Sequence, residues 1–427
     1  MKRIAWLMSL STLVLAGCLP EDDKKDNNNG GDGGNVEPKI YGELVDACPD
    51  LENRDDLNLD SDNVGFAMMD PLFTTSTVSV AVGNLCDVTS DIATSTYSDV
   101  ALATFKDNFY LMGRSKQDNL TKFSINSERK AEQQWQFSLL ADDESANPYA
   151  VAFVSDSKAY VARYGANEVL IIDPSVDIQN GDDFIKGKID FSAYSDNSNV
   201  DSKPGIASVK IVNNQLFVLL QRLSGVPVNV SYIAVVDLDT DLEVETNSDE
   251  TDGLKGIPLP IMNALEMQVF DTDLYIAGVA YSWGAIDNPN RWAGGVAKVD
   301  TTIYEASLVV DDGDVEEHPY GNISQVLVTS ETDGYFTGSQ SWGNDSVYHF
   351  NPSDLEAPIT ELVGLGGTGI GDLGVVTLEG QVEALLVPKS SAEGSEPELK
   401  IFDSFTQEEI ASVPTELNVG SLVTFDR

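Results

Sequence analysis

The chain has 427 residues, and its 70 acidic side chains against 25 basic ones give a formal net charge of −45. Such a negative field repels phosphate backbones and anionic bilayer surfaces, which excludes nucleic acid and anionic lipid as general partners. The same excess is typical of a protein that stays soluble in a salty medium.

The N-terminus has the pattern of an export signal. Lys2 and Arg3 precede an apolar run over residues 4–15, and Leu-Ala-Gly leads directly into Cys18. This order of charged, apolar and small residues predicts a signal peptide over residues 1–17. A cysteine after Leu-Ala-Gly resembles the lipobox of bacterial lipoproteins, which implies that Cys18 is acylated and becomes the mature N-terminus. The alternative is an ordinary secretory peptide followed by a chance cysteine.

The lipobox resemblance also implies a location. In Gram-negative lipoproteins an Asp after the acylated cysteine retains the protein at the inner membrane, and this chain has Leu19 there. We therefore expect an outer-membrane lipoprotein of the bacterial cell envelope, held by acyl chains that contribute about 0.8 kcal/mol per buried CH₂. The sequence does not indicate whether the protein faces the periplasm or the cell surface.

A polar segment separates the acylated cysteine from the folded part. Residues 21–38 read EDDKKDNNNGGDGGNVEP, which is too polar and too rich in Gly and Asn to bury a core. We predict a flexible tether over residues 18–40. A lead-in segment follows over residues 41–62, and the folded domain occupies residues 63–427.

Two cysteines are left after Cys18. Cys48 and Cys86 form an even pair, and export would place them in an oxidising compartment. A disulfide between them would close a loop of about forty residues and stabilise the domain by roughly 3 to 4 kcal/mol. Two unpaired thiols are the alternative, because the sequence does not show that the two Cα atoms approach each other.

An internal repeat recurs along the rest of the chain, and its clearest copy covers residues 147–174, NPYAVAFVSDSKAYVARYGANEVLIIDP. It reads as an apolar strand, a polar turn, a second strand, a Gly/Asn turn and a third strand closed by Asp-Pro. This pattern resembles the YVTN-type β-propeller repeat. Related copies begin near residues 100, 203, 264, 322 and 373, which makes six full units.

The two ends of the domain supply a seventh unit. Residues 419–425 read as a lone first strand, whereas residues 64–69 and 77–82 read as second and third strands without a first. Joining them closes the ring with one C-terminal and three N-terminal strands and removes the open sheet edges. The prediction is a single all-β, seven-bladed propeller, with six or eight blades as alternatives because the repeat is degenerate.

Unusual residues concentrate between the second and third strands of the units. Propeller geometry brings these loops to one rim around the channel mouth. The chain has eight Arg, and four of them fall in or beside these loops together with most Trp residues. The candidate ligand-binding rim comprises Arg114, Arg163, Tyr164, Gln221, Arg222, Tyr281, Trp283, Arg291, Trp292, Gln340, Trp342 and Lys389.

Guanidinium groups, flat aromatic rings and amides suit an anionic or ring-bearing small molecule, through bidentate hydrogen bonds, stacking and cation–π contact. The alternative is that these Arg side chains pair with acidic neighbours and that the Trp rings pack between blades. The sequence leaves both interpretations open.

The sequence contains few motifs that indicate catalysis. The two histidines, His318 and His349, fall before a first strand and inside a third strand, and the sequence lacks HExxH, GxSxG and zinc-ligand spacing. The acidic runs at residues 55–62, 237–241 and 311–317 offer oxygen ligands for adventitious Ca²⁺ but lack the spacing of an EF-hand. We expect no catalytic residues, no cofactor and no resident metal.

Three functions are compatible with this sequence. The leading hypothesis is a non-enzymatic lipoprotein that captures a small molecule at the propeller mouth and hands it to an outer-membrane transporter, because surface lipoproteins of similar architecture capture corrinoids or ferric siderophores for TonB-dependent transporters. The second is an interaction scaffold for other envelope proteins. The third is a lyase like the antibiotic-lactone lyases that resemble this fold, for which the chain offers only His318.

Overall fold

The computed structural model of the protein describes residues 64–69, 76–82, 87–95, 98–125, 130–141, 143–196, 202–223, 229–247, 253–341, 343–362, 365, 368–378, 382–391, 396–415 and 417–425. The predicted signal peptide and tether lie outside these residues, as do Cys18, Cys48, Cys86 and Trp342.

Seven antiparallel sheets form the propeller predicted from the repeat. Six of them, blades 1 to 6, are each built from consecutive strands, and blade 7 combines both ends of the domain. The first strands of neighbouring blades contact one another, so they surround the central channel. The second, third and fourth strands follow outward in sequence order.

The strand bounds are as follows. The N-terminal strands are β1 (Val64–Met69), β2 (Ser76–Val82) and β3 (Asp87–Ser95). Blade 1 contains β4 (Val100–Phe105), β5 (Asn108–Gly113), β6 (Asn119–Ile125) and β7 (Ala131–Ser138). Blade 2 contains β8 (Pro148–Ser155), β9 (Lys158–Arg163), β10 (Glu168–Ile172) and β11 (Ile185–Asp190). Blade 3 contains β12 (Ile206–Val212), β13 (Gln215–Leu220), β14 (Val230–Asp237) and β15 (Leu242–Val244), and β16 (Ile257–Met262) also pairs with β14.

The remaining blades continue the pattern. Blade 4 contains β17 (Ala264–Phe270), β18 (Asp273–Gly278), β19 (Gly295–Asp300) and β20 (Glu305–Asp311). Blade 5 contains β21 (Asn322–Val328), β22 (Gly334–Ser341), β23 (Asn344–Phe350) and β24 (Thr360–Glu361). Blade 6 contains β25 (Gly374–Leu378), β26 (Val382–Lys389), β27 (Glu398–Asp403) and β28 (Glu409–Pro414). The last strand is β29 (Asn418–Thr424), and short 3-10 turns cover Ile178–Asp183, Ser192–Tyr194 and Pro289–Trp292.

The ring closes through blade 7, as the sequence predicts. β29 is the first strand of this blade and pairs antiparallel with β1, from Val64 opposite Thr424 to Met69 opposite Asn418. Met68 packs in one apolar cluster with side chains of blade 6. Ala67 packs in another cluster with side chains of blade 1. The composite blade therefore buries apolar side chains against both of its neighbours.

Burial follows strand position within a blade. The second strand of blade 3, β13, reads QLFVLL and is buried from Leu216 to Leu220, as expected for a strand covered on both faces. The outer strand of blade 1, β7, alternates polar residues with the buried Trp135. Apolar side chains of adjacent blades interlock, as Phe217 does with Met267 in the cluster between blades 3 and 4.

Polar side chains join neighbouring inner strands. Gln268 donates from Nε2 to Val328 O at 3.0 Å and accepts Val328 N–H at 2.6 Å, which connects blade 4 to blade 5. Gln325 connects blade 5 to blade 6 in the same way, through Gly371 O and Leu373 N. These amides satisfy backbone groups around the channel, where the inner strands have no strand partner on one edge.

The third strands end in a repeated turn. An Asp or Asn at the strand end accepts a hydrogen bond from a backbone N–H two or three residues later, which is the geometry that short Asx side chains favour. This happens in blades 2 to 6, at Asp173, Asp237, Asp300, Asn351 and Asp403. These turns lie on the face opposite the loops between second and third strands.

Candidate functional site

The strongest candidate site is a layered group of four side chains from blades 1 to 3, here called the mouth stack: Arg114, Tyr149, Tyr164 and Gln221. The Arg114 guanidinium lies 3.7 Å from the centre of the Tyr149 ring. That ring stacks on Tyr164 at 4.6 Å, and the Tyr164 hydroxyl donates to Gln221 Oε1 at 2.5 Å. Arg114, Tyr164 and Gln221 were predicted as rim residues, whereas Tyr149, the second residue of β8, was missed.

The local chain positions these groups at one end of the channel. Arg114 follows β5, Tyr164 follows β9 and Gln221 follows β13, so all three come directly after a second strand. Their backbones also bond to the segments before the first strands: Arg114 N–H donates to Asp99 O at 3.0 Å, and Gln221 N–H donates to Gly205 O at 2.8 Å. The two kinds of loop that frame the mouth are thereby fixed to each other.

Several donors of the mouth stack make no hydrogen bond to the residues that the structure describes. Arg114 is only 3% exposed and Gln221 only 1%, yet Nε and Nη2 of Arg114 and Nε2 of Gln221 make no hydrogen bond there. A carboxylate oxygen of Asp99 lies 3.5 Å from Arg114 Nε without hydrogen-bond geometry. A buried donor that keeps no partner costs about 1 to 3 kcal/mol, so these donors favour the binding of an acceptor.

Two carboxyl groups of the same region have perturbed acidity. Burial raises the pKa of Asp372, two residues before β25, to about 6, and the Arg114 guanidinium opposes this rise. Burial, with a further contribution from the Asp372 charge, raises the pKa of Glu266 in β17 to about 8. Burial also raises the pKa of the Tyr164 hydroxyl, so this ring stays a neutral donor. Sequence reasoning missed both acids, since a chain with 70 acidic residues gives no local signal for two of them.

A second group of predicted rim residues meets between blades 4 and 5. Trp292 stacks on His318 with ring centres 4.0 Å apart, and the Arg291 guanidinium lies 5.2 Å from the Trp292 ring. Gln340, near the end of β22, donates to Pro319 O at 2.7 Å. The indole of Trp292 is 6% exposed and donates to a backbone carbonyl, so its ring mainly packs the loop.

The loop before Trp292 carries the exposed aromatic surface of this rim. Tyr281 and Trp283 meet edge to face at 4.8 Å, and Trp283 is 41% exposed. Arg291 Nη1 donates to Gly284 O at 2.6 Å and fixes this loop. Trp283 is therefore available to a ligand ring in the described conformation.

Three predicted rim residues make satisfied internal contacts. Arg163 is fully buried, and its guanidinium bonds to Asp143, Glu168 and the carbonyls of residues 139, 140 and 168. Arg222 donates to Tyr194 O and Val230 O. Lys389 pairs with Glu398 at 3.4 Å. This geometry favours a packing role for Arg163 in particular, because its donors already have acceptors.

The described residues contain no group of three or more His, Cys, Asp or Glu side chains placed to hold a metal ion. His349 contacts Asp333 at 3.0 Å on the opposite face, away from the mouth stack. In the same part of the chain, none of the helical turns has the length and apolar character needed to cross a bilayer.

Solved structures share the propeller fold at low sequence identity. A protein from Lactobacillus plantarum matches with a TM-score of 0.55 and 12% identity, over 86% of this chain and 99% of that one. A prolyl endopeptidase structure matches with a TM-score of 0.51 and 10% identity, over 84% of this chain and 49% of that one. A virginiamycin B lyase from Staphylococcus aureus has a TM-score of 0.46 and 10% identity, over 77% and 93%. At such identities the first two matches show the fold alone.

No protein-family model matches the chain, and no curated protein matches it in sequence.

Proposed function

We propose that the chain is a non-enzymatic binding protein that captures a small anionic, ring-bearing molecule at the propeller mouth. A lipid on Cys18 would hold it at the outer membrane, and an outer-membrane transporter would receive the ligand. One observation carries the binding proposal: the mouth stack contains buried donors on Arg114 and Gln221 that make no hydrogen bond to the described residues.

The chemistry of the donors indicates the ligand group. The Nε–H and one Nη2–H of a guanidinium point the same way and form a fork that matches two oxygens of a carboxylate or phosphate. In Arg114 these two nitrogens make no hydrogen bond to the described residues, and Nε faces the Asp99 carboxylate at 3.5 Å. Tyr149 covers one face of the guanidinium and holds the fork in place. Because the donors are enclosed, the ligand must displace neighbouring side chains as it binds.

The test is isothermal titration of the purified mature chain against siderophores, haem and corrinoids, repeated with Arg114→Lys. Lysine keeps the charge but removes the fork, so we expect an anionic ligand to bind at least about tenfold more weakly. Arg222→Lys is the matched control, because that guanidinium donates to Tyr194 O and Val230 O instead. Absence of heat with every compound, or equal binding by wild type and Arg114→Lys, would contradict the proposal.

A scaffold function is the second candidate, and the face opposite the mouth favours it. In five consecutive blades one large apolar side chain is exposed between the third and fourth strands or at the start of the fourth strand; these are Ile178, Leu242, Ile303, Leu355 and Phe405. An Asp lies in or directly beside each of these loops, so a protein partner with basic residues around apolar sockets would fit them. Cross-linking in cells that yields a stoichiometric partner without added ligand would favour this function over capture.

A further inference from the structure

The face opposite the mouth contains a cavity between blades 5 and 6, here called the acidic socket. Its volume is about 350 Å³, which corresponds to roughly ten water molecules. Its walls come from the loop before β22, the start of β26 and the loop after β27. They include the carboxyl groups of Asp333, Glu383 and Asp403, and none of the lining residues is Lys or Arg. Phe405, which also lines the socket, is 78% exposed.

At another junction the ring fills the corresponding space with a basic side chain of its own. Lys158 is the first residue of β9 in blade 2, and its Nζ donates to Leu238 O at 2.8 Å and to Asp241 Oδ1 at 2.9 Å. Both acceptors lie between the third and fourth strands of blade 3. At the next junction Gln215, the first residue of β13, donates to the Tyr304 hydroxyl of blade 4 at 2.8 Å. The turn after a third strand therefore accepts a polar side chain that arrives from the preceding blade.

Blade 5 has a glycine at this position. Gly334 is the first residue of β22, and a Cβ there would lie 2.5 Å from the Phe350 ring. The packing of Phe350 thus excludes a longer residue that could reach blade 6. The next residue, Tyr335, donates its hydroxyl to Ser404 O, which satisfies that carbonyl but leaves the cavity open. The chain supplies no basic side chain to this junction.

The acidic socket concentrates negative charge. Asp333 accepts the hydroxyls of Ser330 and Thr332 at 2.6 and 2.8 Å, and its other oxygen contacts His349 Nε2 at 3.0 Å. Burial and the charge of Asp333 raise the pKa of Glu383. Because neighbouring carboxylates repel one another, a positive charge placed between them is favourable.

We infer that the acidic socket binds an Arg or Lys side chain of a partner protein, in the place that Lys158 occupies between blades 2 and 3. This inference rests on the proposed scaffold function and specifies its partner, a segment in which a basic residue stands between apolar ones. The charged head would pair with Glu383 and Asp403, and the aliphatic stem would lie against the exposed Phe405 ring. The other exposed apolar side chains of this face would contact the apolar residues of the partner.

Matched peptides test the inference on the purified mature chain. Acetylated and amidated Leu-Arg-Leu is compared by isothermal titration at low ionic strength with Leu-citrulline-Leu, which has nearly the same shape but no charge. We expect the arginine peptide to bind about tenfold or more tightly, because only its head makes charge-assisted hydrogen bonds to the carboxylates. Glu383→Gln and Asp403→Asn should each reduce this preference about threefold or more. Asp354→Asn is the matched control, since it removes a charge from a loop of the same face outside the socket.

The aromatic wall supplies a second variant. Phe405→Ser should weaken both peptides by about threefold or more, because both carry the aliphatic stem that packs on this ring. The side chain is largely exposed, so the change should leave the fold intact. Ile178→Ser, an equally exposed position in blade 2, is the control and should bind both peptides like wild type. Unchanged binding by Phe405→Ser would contradict the placement of the stem.

The outcomes separate the socket from the scaffold function. No binding of the arginine peptide, equal binding of the two peptides, or a preference that survives in both acid variants would overturn the socket. Argininamide that binds as tightly as the peptide would show that the socket takes a small free cation, which would overturn the partner segment. In cells, a stoichiometric cross-linked partner should be lost when Glu383→Gln and Asp403→Asn are combined. A partner that persists would overturn the socket alone, whereas no partner in wild type would overturn the scaffold function.

Discussion

Replacing Glu266 with Gln should change how the stability of the propeller depends on pH. The unfolded chain ionises this carboxyl near its ordinary pKa of 4.5, whereas burial and Asp372 hold it protonated in the folded chain to about pH 8. The folded state therefore binds more protons between these values, and it loses stability as pH rises through that window. Glutamine resembles the protonated form and can still accept the Val326 N–H, so Glu266→Gln should remove this loss.

The size of this difference in the free energy of unfolding follows from the interval between the unfolded and folded pKa values of Glu266. At about 1.4 kcal/mol per pKa unit, wild type should lose on the order of 4 kcal/mol more than Glu266→Gln between about pH 5 and pH 9. Near pH 5 the two proteins should be about equally stable. Burial also raises the pKa of Asp312, but this group contributes alike to both proteins and cancels in the difference. Asp372 interacts with Glu266, so its contribution is part of the measured difference.

Urea unfolding followed by tryptophan fluorescence at a series of pH values gives the free energy of unfolding for both proteins. Glu305→Gln, on the exposed outer edge of blade 4, should parallel wild type throughout. Parallel curves for wild type and Glu266→Gln would show that the folded protein does not hold this proton, and the burial argument would be wrong.

Further predictions concern the ring, its buried groups and its thiols. Deleting residues 419–427 removes most of the strand that closes blade 7, so the melting temperature should fall sharply; an unchanged value would refute closure by this strand. Arg163→Ala should destabilise the domain by about 3 kcal/mol or more in urea titrations, because it leaves acidic partners and carbonyls unpaired; a change below about 0.5 kcal/mol would instead favour a surface role. Gln325→Leu should cost about 1 to 3 kcal/mol, since the backbone groups that it bridges between blades 5 and 6 lose their partner. Mass mapping without reductant should find Cys48 linked to Cys86, and two free thiols in protein from the native envelope would contradict the disulfide.

Much of the fold could be predicted from residue patterns within short stretches of the sequence. Apolar strands of repeated length, separated by Gly/Asn turns and closed by Asp or Asn, are encoded within each stretch of fifty to sixty residues. Even the ring closure was predictable, because a lone C-terminal strand complements three N-terminal strands that lack an innermost partner. Backbone hydrogen bonding and side-chain alternation act between near neighbours, so the sequence displays them directly.

The candidate site was only partly predictable. Arg114, Tyr164 and Gln221 follow second strands, and that position alone brought them to the mouth. Arg163 is one residue earlier, at the end of β9, yet Glu168 and the link between blades 1 and 2 surround its guanidinium with acceptors. Position in the repeat decides which rim a residue reaches, but the acceptors around it decide whether its donors are available to a ligand.

The ring of antiparallel blades, closed by its two ends, was predictable from the sequence. The charges that interact in the channel were not, since Glu266, Asp372, Lys210 and Arg114 come from four blades and have no common local pattern. The physical reason is the range of the forces involved. Strand formation depends on contacts repeated along the chain, whereas the energy of a buried charge depends on every group that the folded ring places around it.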